Sequence, residues 1–509
     1  MSETIKIKLF SILFFVFLFA LICIQTYTFN TIDMDYWARL LQGNAFWQLG
    51  HILKTDPFSY TQTHLWLDHE WGSSVIFSFV HNTFGFNGIL LFRSFIIFLI
   101  FLFIYKSIKL NTEKINKPLL FLLFVFAMQA MPTLLHSGLR CHFFTFLFFT
   151  TYIYILEKVR KTLNYKLLVI LPLIMLLWAN IHGGCVSGLG LIGIYLFGEF
   201  LNKKEFKPYL YCLIVSSLML FINPYGFEYV KFIFMASTMS RPFVTEWISP
   251  FQHPVWTFLL EFKVFSIVSL LFILFSIKKI KEDYTKYILL LVCTVVSFKY
   301  VKNTPFFIIV SLIYLYSDIC FDKLNKLKYL ILLLIVFSYG LSIKTFVTDR
   351  YFYLSQQPVK VVEFIDINDL NGNILCPFDM GSYIAYKLYP DNLIYMDGRY
   401  EEVYFDKEKK LIDKFYNAEK DYDLILNQKI KPDYIVVPAD ATVNDLMLQN
   451  KNYILIYKDA NEVLYSSIDK LKKMYILPTN SYYPFDEVFK TKFKFTDEII
   501  INGEKVIFK

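Results

Sequence analysis

Residues 9–43 read LFSILFFVFLFALICIQTYTFNTIDMDYWARLLQG. An apolar run reaching Tyr27 gives way at once to an acidic stretch carrying Asp33 and Asp35. The run is long enough to cross a bilayer, which takes about 20 apolar residues. The polar loop behind it continues as TDPFSY at 55–60 and WLDHEWGS at 66–73, adding Asp56, Asp68, His69 and Glu70. Lys6 and Lys8 precede the run, as in a signal peptide, but no small-x-small cleavage site follows, and Ile22 is too large before Cys23 for a lipoprotein box. The sequence therefore predicts an uncleaved first span with a polar loop, 30–71, directly after it.

The rest of the 509 residues supports a membrane setting. The chain is 56% hydrophobic and 19% aromatic, with a mean hydropathy of +0.45. That excludes an ordinary soluble enzyme and predicts a polytopic α-helical membrane protein. About eleven spans are expected, near 9–29, 87–105, 118–135, 141–156, 167–181, 184–200, 208–222, 257–277, 287–300, 304–320 and 329–346. Residues 72–84 read as an interfacial helix leading into the second span. Five of the seven cysteines lie in or beside apolar segments without metal spacing, so they read as small core residues.

The net charge of +8 does not imply nucleic acid, because much of it sits in short loops between spans. One set of loops holds Lys106/Lys109/Lys114/Lys117, Lys158/Arg160/Lys161/Lys166, Lys203/Lys204/Lys207, Lys278/Lys279/Lys281/Lys286 and Lys323/Lys326/Lys328. The opposite loops hold only Arg39, Lys54, Arg140, Lys231, Arg241, Lys299 and Lys302. The positive-inside rule places the first set, and the N-terminus, in the cytoplasm. The expected location is a plasma (inner) membrane, with the C-terminal part periplasmic or extracellular.

Residues 347–509 are polar and turn-rich. Short β-type runs occur at 373–376, 393–396, 434–437, 454–457 and 463–465, with helical stretches at 380–388 and 405–417. The expected organisation is a membrane domain over 1–346 and an extracytoplasmic α/β domain over 347–509. Asp397-Gly398-Arg399 falls at the C-terminal end of a strand, where α/β sheets often bind ligands. A plain turn with Arg399 paired to Glu401 or Glu402 is equally compatible.

Charges at mid-membrane are costly, so polar residues belong near span ends. Here they gather on the outer side. Asp33, Asp35, His69 and Glu70 follow the first span; Arg140 and His142 flank the fourth. Asn180 and His182 sit in the turn WANIHGG, Arg241 and Glu246 in the loop opened by Asn223-Pro-Tyr-Gly, and Lys299 and Lys302 beside Asn303. Each has a plainer reading as a solvated, turn-forming or snorkelling residue. Together they fit sugar transfer from a lipid-linked phosphate. A carboxylate, Asp35 or Asp33, takes the acceptor hydroxyl's proton. Arg140, Arg241, Lys299 and Lys302 meet the phosphate, with His69, Glu70, His142, Asn180, His182 and Glu246 as further substrate contacts. Asp33-Met-Asp35 could also hold a divalent cation, Mg or Mn, although a lone DxD is a weak signal.

These residues resemble the GT-C superfamily of membrane glycosyltransferases, which includes protein O-mannosyltransferases and aminoarabinose and oligosaccharyl transferases. The layout is most similar to a group of polytopic bacterial proteins within it. The pattern is carried by Asp35-x-Trp37-(x)5-Gly43, Thr55–Ser59, Trp66–Trp71, Trp178–Gly184, Asn223–Gly226, Glu246-Trp247, Gly381-Ser-Tyr and Asp397-Gly-Arg399. Two positions depart from the group: Cys141 stands where an Arg-Pro step is usual, and Arg39 where histidine is common. His69-Glu70-Trp71 also lacks the prolines of the superfamily's His-Pro-Pro-type element. The resemblance implies a GT-C-like fold, a polyprenyl-phosphate sugar donor, a glycan, lipid or protein acceptor, and Asp35 as the acidic residue of the first outer loop. An O-antigen polymerase or ligase, and a non-catalytic polysaccharide export or scaffold protein, are the alternative readings. A transporter would place its polar groups at mid-membrane instead.

Overall fold

The structure is a computed structural model describing residues 3–28, 32–112, 115–135, 138–238, 245–252, 259–316, 357–471, 498–501 and 504–507. Its contacts fall into two units, Met1–Asn30 with Val80–Tyr351, and Thr31–Phe79 with Phe352–Lys509. The first loop, grouped by sequence with the membrane part, thus packs together with the C-terminal segment.

The first unit is helical. Among the described residues, four helices are long and apolar enough to cross a membrane: Ser11–Thr28, Trp71–Asn111, Gly183–Leu201 and Leu260–Glu282. Lys117–Ala130, Tyr165–Ile181 and Val301–Leu315 are apolar but shorter. Further helices, His142–Thr162, Lys207–Met219 and Tyr284–Lys299, coincide with expected spans. The expected span 329–346, the end of 304–320, and Arg241 lie outside the described residues. Trp71–Asn111 joins the expected interfacial helix and second span into one element, with non-helical backbone at Gly85, where φ is 65°. Leu173, Leu177, Leu218, Ile267, Leu274 and Phe275 lie exposed on these helices. Such apolar surface suits lipid rather than water.

A buried ionic cluster ties helices of this unit together. Arg160 donates to Glu157, Glu199 and both oxygens of Asp283. Tyr195 and Tyr314 each donate to Glu157 at 2.8 Å, and Thr285 donates to Glu199 at 2.9 Å. The sequence groups Arg160 with the lysines of this end. Glu157 and Arg160, three residues apart at the end of an apolar helix, were the available signal.

The second unit holds a five-stranded sheet in the order β2-β1-β3-β5-β4. The strands are β1 Gly372–Leu375, β2 Asn392–Ile394, β3 Tyr434–Pro438, β4 Tyr453–Lys458 and β5 Glu462–Ser467. β2, β1 and β3 run parallel, while β5 pairs antiparallel with both β3 and β4. Every expected β-type run becomes a strand, because each is short, apolar and bounded by turn residues. The helices Phe378–Leu388 and Asp406–Tyr416 match the expected helical stretches. A further hairpin pairs Glu498–Ile501 with Glu504–Ile507.

The loop supplies two elements to this unit. Met34–Leu49 is a helix, an element the sequence reading left as loop. It buries Tyr36, Trp37, Leu40 and Leu41, and Trp37 meets Tyr383 and Tyr386 of Phe378–Leu388 at ring separations of 4.9 and 5.1 Å. The second element is extended. Phe58–Tyr60 bonds to Ile394 on both sides, with Ile394 N donating to Phe58 O and Tyr60 N to Ile394 O, each at 3.0 Å. The segment TDPFSY therefore lies along β2, covering backbone groups that an edge strand would leave bare.

Candidate functional site

Asp33 and Asp35 have separate jobs. Asp33 has extended backbone and caps Met34–Leu49, its Oδ1 accepting from Asp35 N at 3.0 Å. A capping carboxylate satisfies one of the helix's otherwise unpaired N–H groups. Asp35 occupies the first helical turn, where the helix dipole favours negative charge. Its carboxylate lies against Gly398: a Cβ added there would stand 2.8 Å from Asp35 Oδ1. Gly381 is similarly constrained, since its added Cβ would fall 2.1 Å from Met396 O. The motifs Gly381-Ser-Tyr and Asp397-Gly-Arg399 thus pack on each other, and small residues allow that approach.

Arg399 is the centre of a buried ion triad. Its Nε donates to both oxygens of Asp397 at 2.9 Å, and its Nη1 to Asp56 Oδ1 at 2.7 Å. Tyr404 Oη accepts from Arg399 Nη2 and donates to Asp397 Oδ1, each at 3.2 Å. The guanidinium also faces the rings of Trp66 and Phe58, at 4.7 and 5.2 Å. The side chains of Arg399 and Asp56 are 1% and 0% exposed, so the charges are compensated by each other rather than by water. The turn reading that paired Arg399 with Glu402 is corrected: the long-range partner is Asp56, and Glu402 is committed elsewhere; the side chain of Glu401 lies outside the described residues.

Glu402 belongs to a second cluster with Arg39, Asp68, His69 and Glu70. Arg39 Nη1 donates to Asp68 Oδ1 at 2.7 Å, and Gln42 Nε2 to Asp68 Oδ2 at 2.6 Å. Asp68 also accepts from the backbone N of Glu70 at 2.9 Å. His69 Nδ1 stands 2.6 Å from Glu402 Oε1, and its Nε2 3.7 Å from Glu70 Oε1. Trp66 Nε1 donates to Glu402 Oε2 at 3.1 Å. Burial works against the charge on His69, but Glu402 and Glu70 outweigh it and raise the imidazole to about 9. Burial pushes Asp68 up to about 6 against the pull of Arg39. Glu402 is held below its usual range: burial would raise it, but Arg39 and His69 prevail. Among the described residues, His69, Glu70 and Glu402 form the group with metal-compatible spacing, and that group does not include Asp33 or Asp35.

The remaining expected site residues lie in the first unit. Arg140 forms an ion pair with Glu246. Lys302 Nζ sits 3.1 Å from the centre of the Trp247 ring, and Lys299 Nζ 4.9 Å from that of Tyr300. The Trp247 and Tyr300 rings are 5.1 Å apart. A helical turn, Thr245–Trp247, and a second, Val301–Asn303, therefore bring these cations and aromatic faces together. His182 Nδ1 accepts from Gly184 N at 3.0 Å and lies 2.7 Å from Thr145 Oγ1, which itself accepts from Trp178 Nε1. With Nδ1 accepting, Nε2 carries the ring proton in the neutral form. His142 Nε2 is 3.2 Å from Thr133 O. Asn180 donates to the carbonyls of Leu176 and Ile222, so its amide acts as a helix-end clamp.

Comparison with protein-family models and with curated proteins gave no match. The sequence singles out Asp35, His69, Glu70, Asp397 and Arg399 as candidates and names Asp56 and Asp68 only as members of the loop; both accept turn bonds, from Phe58 N and Glu70 N. Their partnerships with Arg399 and Arg39 went unseen. Glu402 carried no local signal, because its role comes wholly from residues of the distant loop.

Proposed function

We propose that the protein is a membrane glycosyltransferase that moves a sugar from a polyprenyl-phosphate donor to an acceptor hydroxyl on the outer membrane face. The observation that carries this reading is the seat of Asp35, a carboxylate in the first turn of a helix, packed on the Asp397-Gly-Arg399 turn beyond the end of β2. That is the end of a parallel sheet at which ligands commonly bind. In the proposed step, Asp35 removes the acceptor hydroxyl's proton as the oxygen forms a bond to the anomeric carbon. The bond from that carbon to the phosphate oxygen breaks, and its electron pair leaves on the lipid phosphate. Asp33 supports the base by capping its helix.

Membranes carrying the wild-type chain should transfer a labelled sugar from a polyprenyl-phosphate donor. Asp35→Asn should lower the rate by about 10²–10⁴-fold, the usual worth of a general base. Full activity in both Asp35→Asn and Asp33→Asn sinks the assignment. The proposed orientation is tested separately by a reporter fused after Lys509, which should be active only outside the cytoplasm.

A further inference from the structure

We propose that His69, Glu70 and Glu402 form a binding site for a divalent transition-metal ion of the zinc class. The site is independent of the transfer reaction assigned to Asp35. Three observations carry it.

The first is the donor set. One imidazole nitrogen and two carboxylates offer ligand atoms within 4.8 Å of one another. Imidazole with carboxylates suits zinc and its neighbours, whereas magnesium and calcium prefer all-oxygen shells. Ligand atoms around tetrahedral zinc stand roughly 3.3–3.5 Å apart, given bonds of about 2.0–2.2 Å. Glu402 Oε1 stands 2.6 Å from His69 Nδ1 and Glu70 Oε1 3.7 Å from Nε2, so whichever nitrogen binds the ion, the other carboxylate must turn toward it.

The second is how the glutamates are turned. Both point Oε2 at Arg39, 3.6 Å away in each case, and both point Oε1 at His69. Trp66 Nε1 adds a hydrogen bond to Glu402 Oε2. The outer oxygens are thus held by surrounding donors while the inner ones face the ring, Glu402 at Nδ1 and Glu70 at Nε2, and outer partners of this kind orient metal ligands. His69 and Glu70 are 21% and 17% exposed, which leaves a face for water and for entry of the ion.

The third is charge. Asp68, Glu70 and Glu402 gather three carboxylates about Arg39, whose closest partner is Asp68 at 2.7 Å. A divalent ion is drawn to such a cluster, with His69 giving up its own charge to serve as a neutral ligand.

The test uses the full-length protein in detergent, stripped with chelator and titrated with Zn²⁺ alone, with bound metal measured after dialysis. One zinc per chain is expected, undisturbed by millimolar Mg²⁺. His69→Ala should abolish stoichiometric binding, and Glu402→Gln should weaken it at least tenfold. Because these variants also break an ion network, Co²⁺ bound to the wild-type protein gives a second readout, a visible ligand-field spectrum diagnostic of nitrogen and carboxylate ligation. No bound zinc, or no such spectrum, overturns the proposal. Asp35→Asn should bind zinc like wild type even when transfer is lost; loss of zinc there would place the metal at the first aspartates and overturn the assignment.

Discussion

Arg399 and Asp56, 343 positions apart in the chain, meet through a 2.7 Å hydrogen bond between nearly inaccessible side chains. The pair fastens TDPFSY to the turn after β2. Removing Arg399 leaves Asp56 and Asp397 buried without their cation, which typically costs about 3–5 kcal/mol, whereas removing Asp56 leaves Arg399 its bonds to Asp397. Asp56→Ala and Arg399→Ala should each lower the unfolding temperature clearly, and the double variant should lose less than the two single losses combined. Arg399→Lys should fail to restore stability, because a point charge cannot replace a guanidinium that spans Asp397, Asp56 and Tyr404 at once. Thermal unfolding of the four variants checks this, and additive losses would count against a coupled triad.

Gly398→Ala separates geometry from stability. The new methyl meets the end of a side chain, Asp35 Oδ1, so the carboxylate can swing aside without moving the backbone. Sugar transfer should therefore fall by about tenfold or more while the unfolding temperature barely changes. Unchanged transfer would remove the Asp397-Gly-Arg399 turn from the account of Asp35.

Glu363, in the helix Val359–Ile367, gives a pH signature. Burial pushes it up to about 8 against the opposing pull of Lys387, and its buried Oε2 has no hydrogen-bond partner among the described residues. An unfolded glutamate ionises near 4.3, so over the intervening range the unfolded chain has released a proton that the folded one retains. This group's effect on stability is constant below the unfolded value, falls as pH rises from there through about 8, and then levels off. Glu363→Gln should match wild type at pH 4 and exceed it by a few kcal/mol at pH 9 in denaturant titrations. An equal pH slope in both proteins would contradict the assignment.

Arg160→Ala should destabilise the helical unit more than replacement of any exposed lysine. It leaves Glu157 and Glu199 buried at 2% and 3% exposure, together with Asp283, without their shared cation. A loss of about 3–5 kcal/mol is expected, read as lower thermal stability in detergent. Glu157→Gln should be milder, because an amide oxygen still accepts from Tyr195 and Tyr314.

Local pattern carried the strands and most helices. Runs such as Tyr434–Pro438 are apolar and turn-bounded, so period and punctuation suffice. The helix Met34–Leu49 escaped notice because Asp33, Asp35, Arg39 and Gln42 make it look like a solvated loop. Arg39 and Gln42 are in fact buried and partnered by Asp68. Asp35 stood out through its place behind an apolar run, whereas Glu402 did not. Its partners Trp66, His69 and Arg39 are brought to it by tertiary structure, and no local spacing encodes that. The same limit hid Asp56, which looks like an ordinary turn aspartate from its neighbours alone.

The strand-like docking of Phe58–Tyr60 on β2 also has a consequence in time. A ribosome adds roughly 5–20 residues per second, so the loop waits on the order of half a minute before Ile394 and Arg399 exist to receive it. Throughout that wait Asp56, Phe58 and Trp66 must stay available without binding elsewhere. Conversely, a fragment starting after the helical unit would emerge with the β2 edge uncovered and Arg399 short of Asp56. The chain's first polar loop is thus made early but docks only after β2 has been made, and assembly of the sheet unit is complete only when early and late parts of the chain meet.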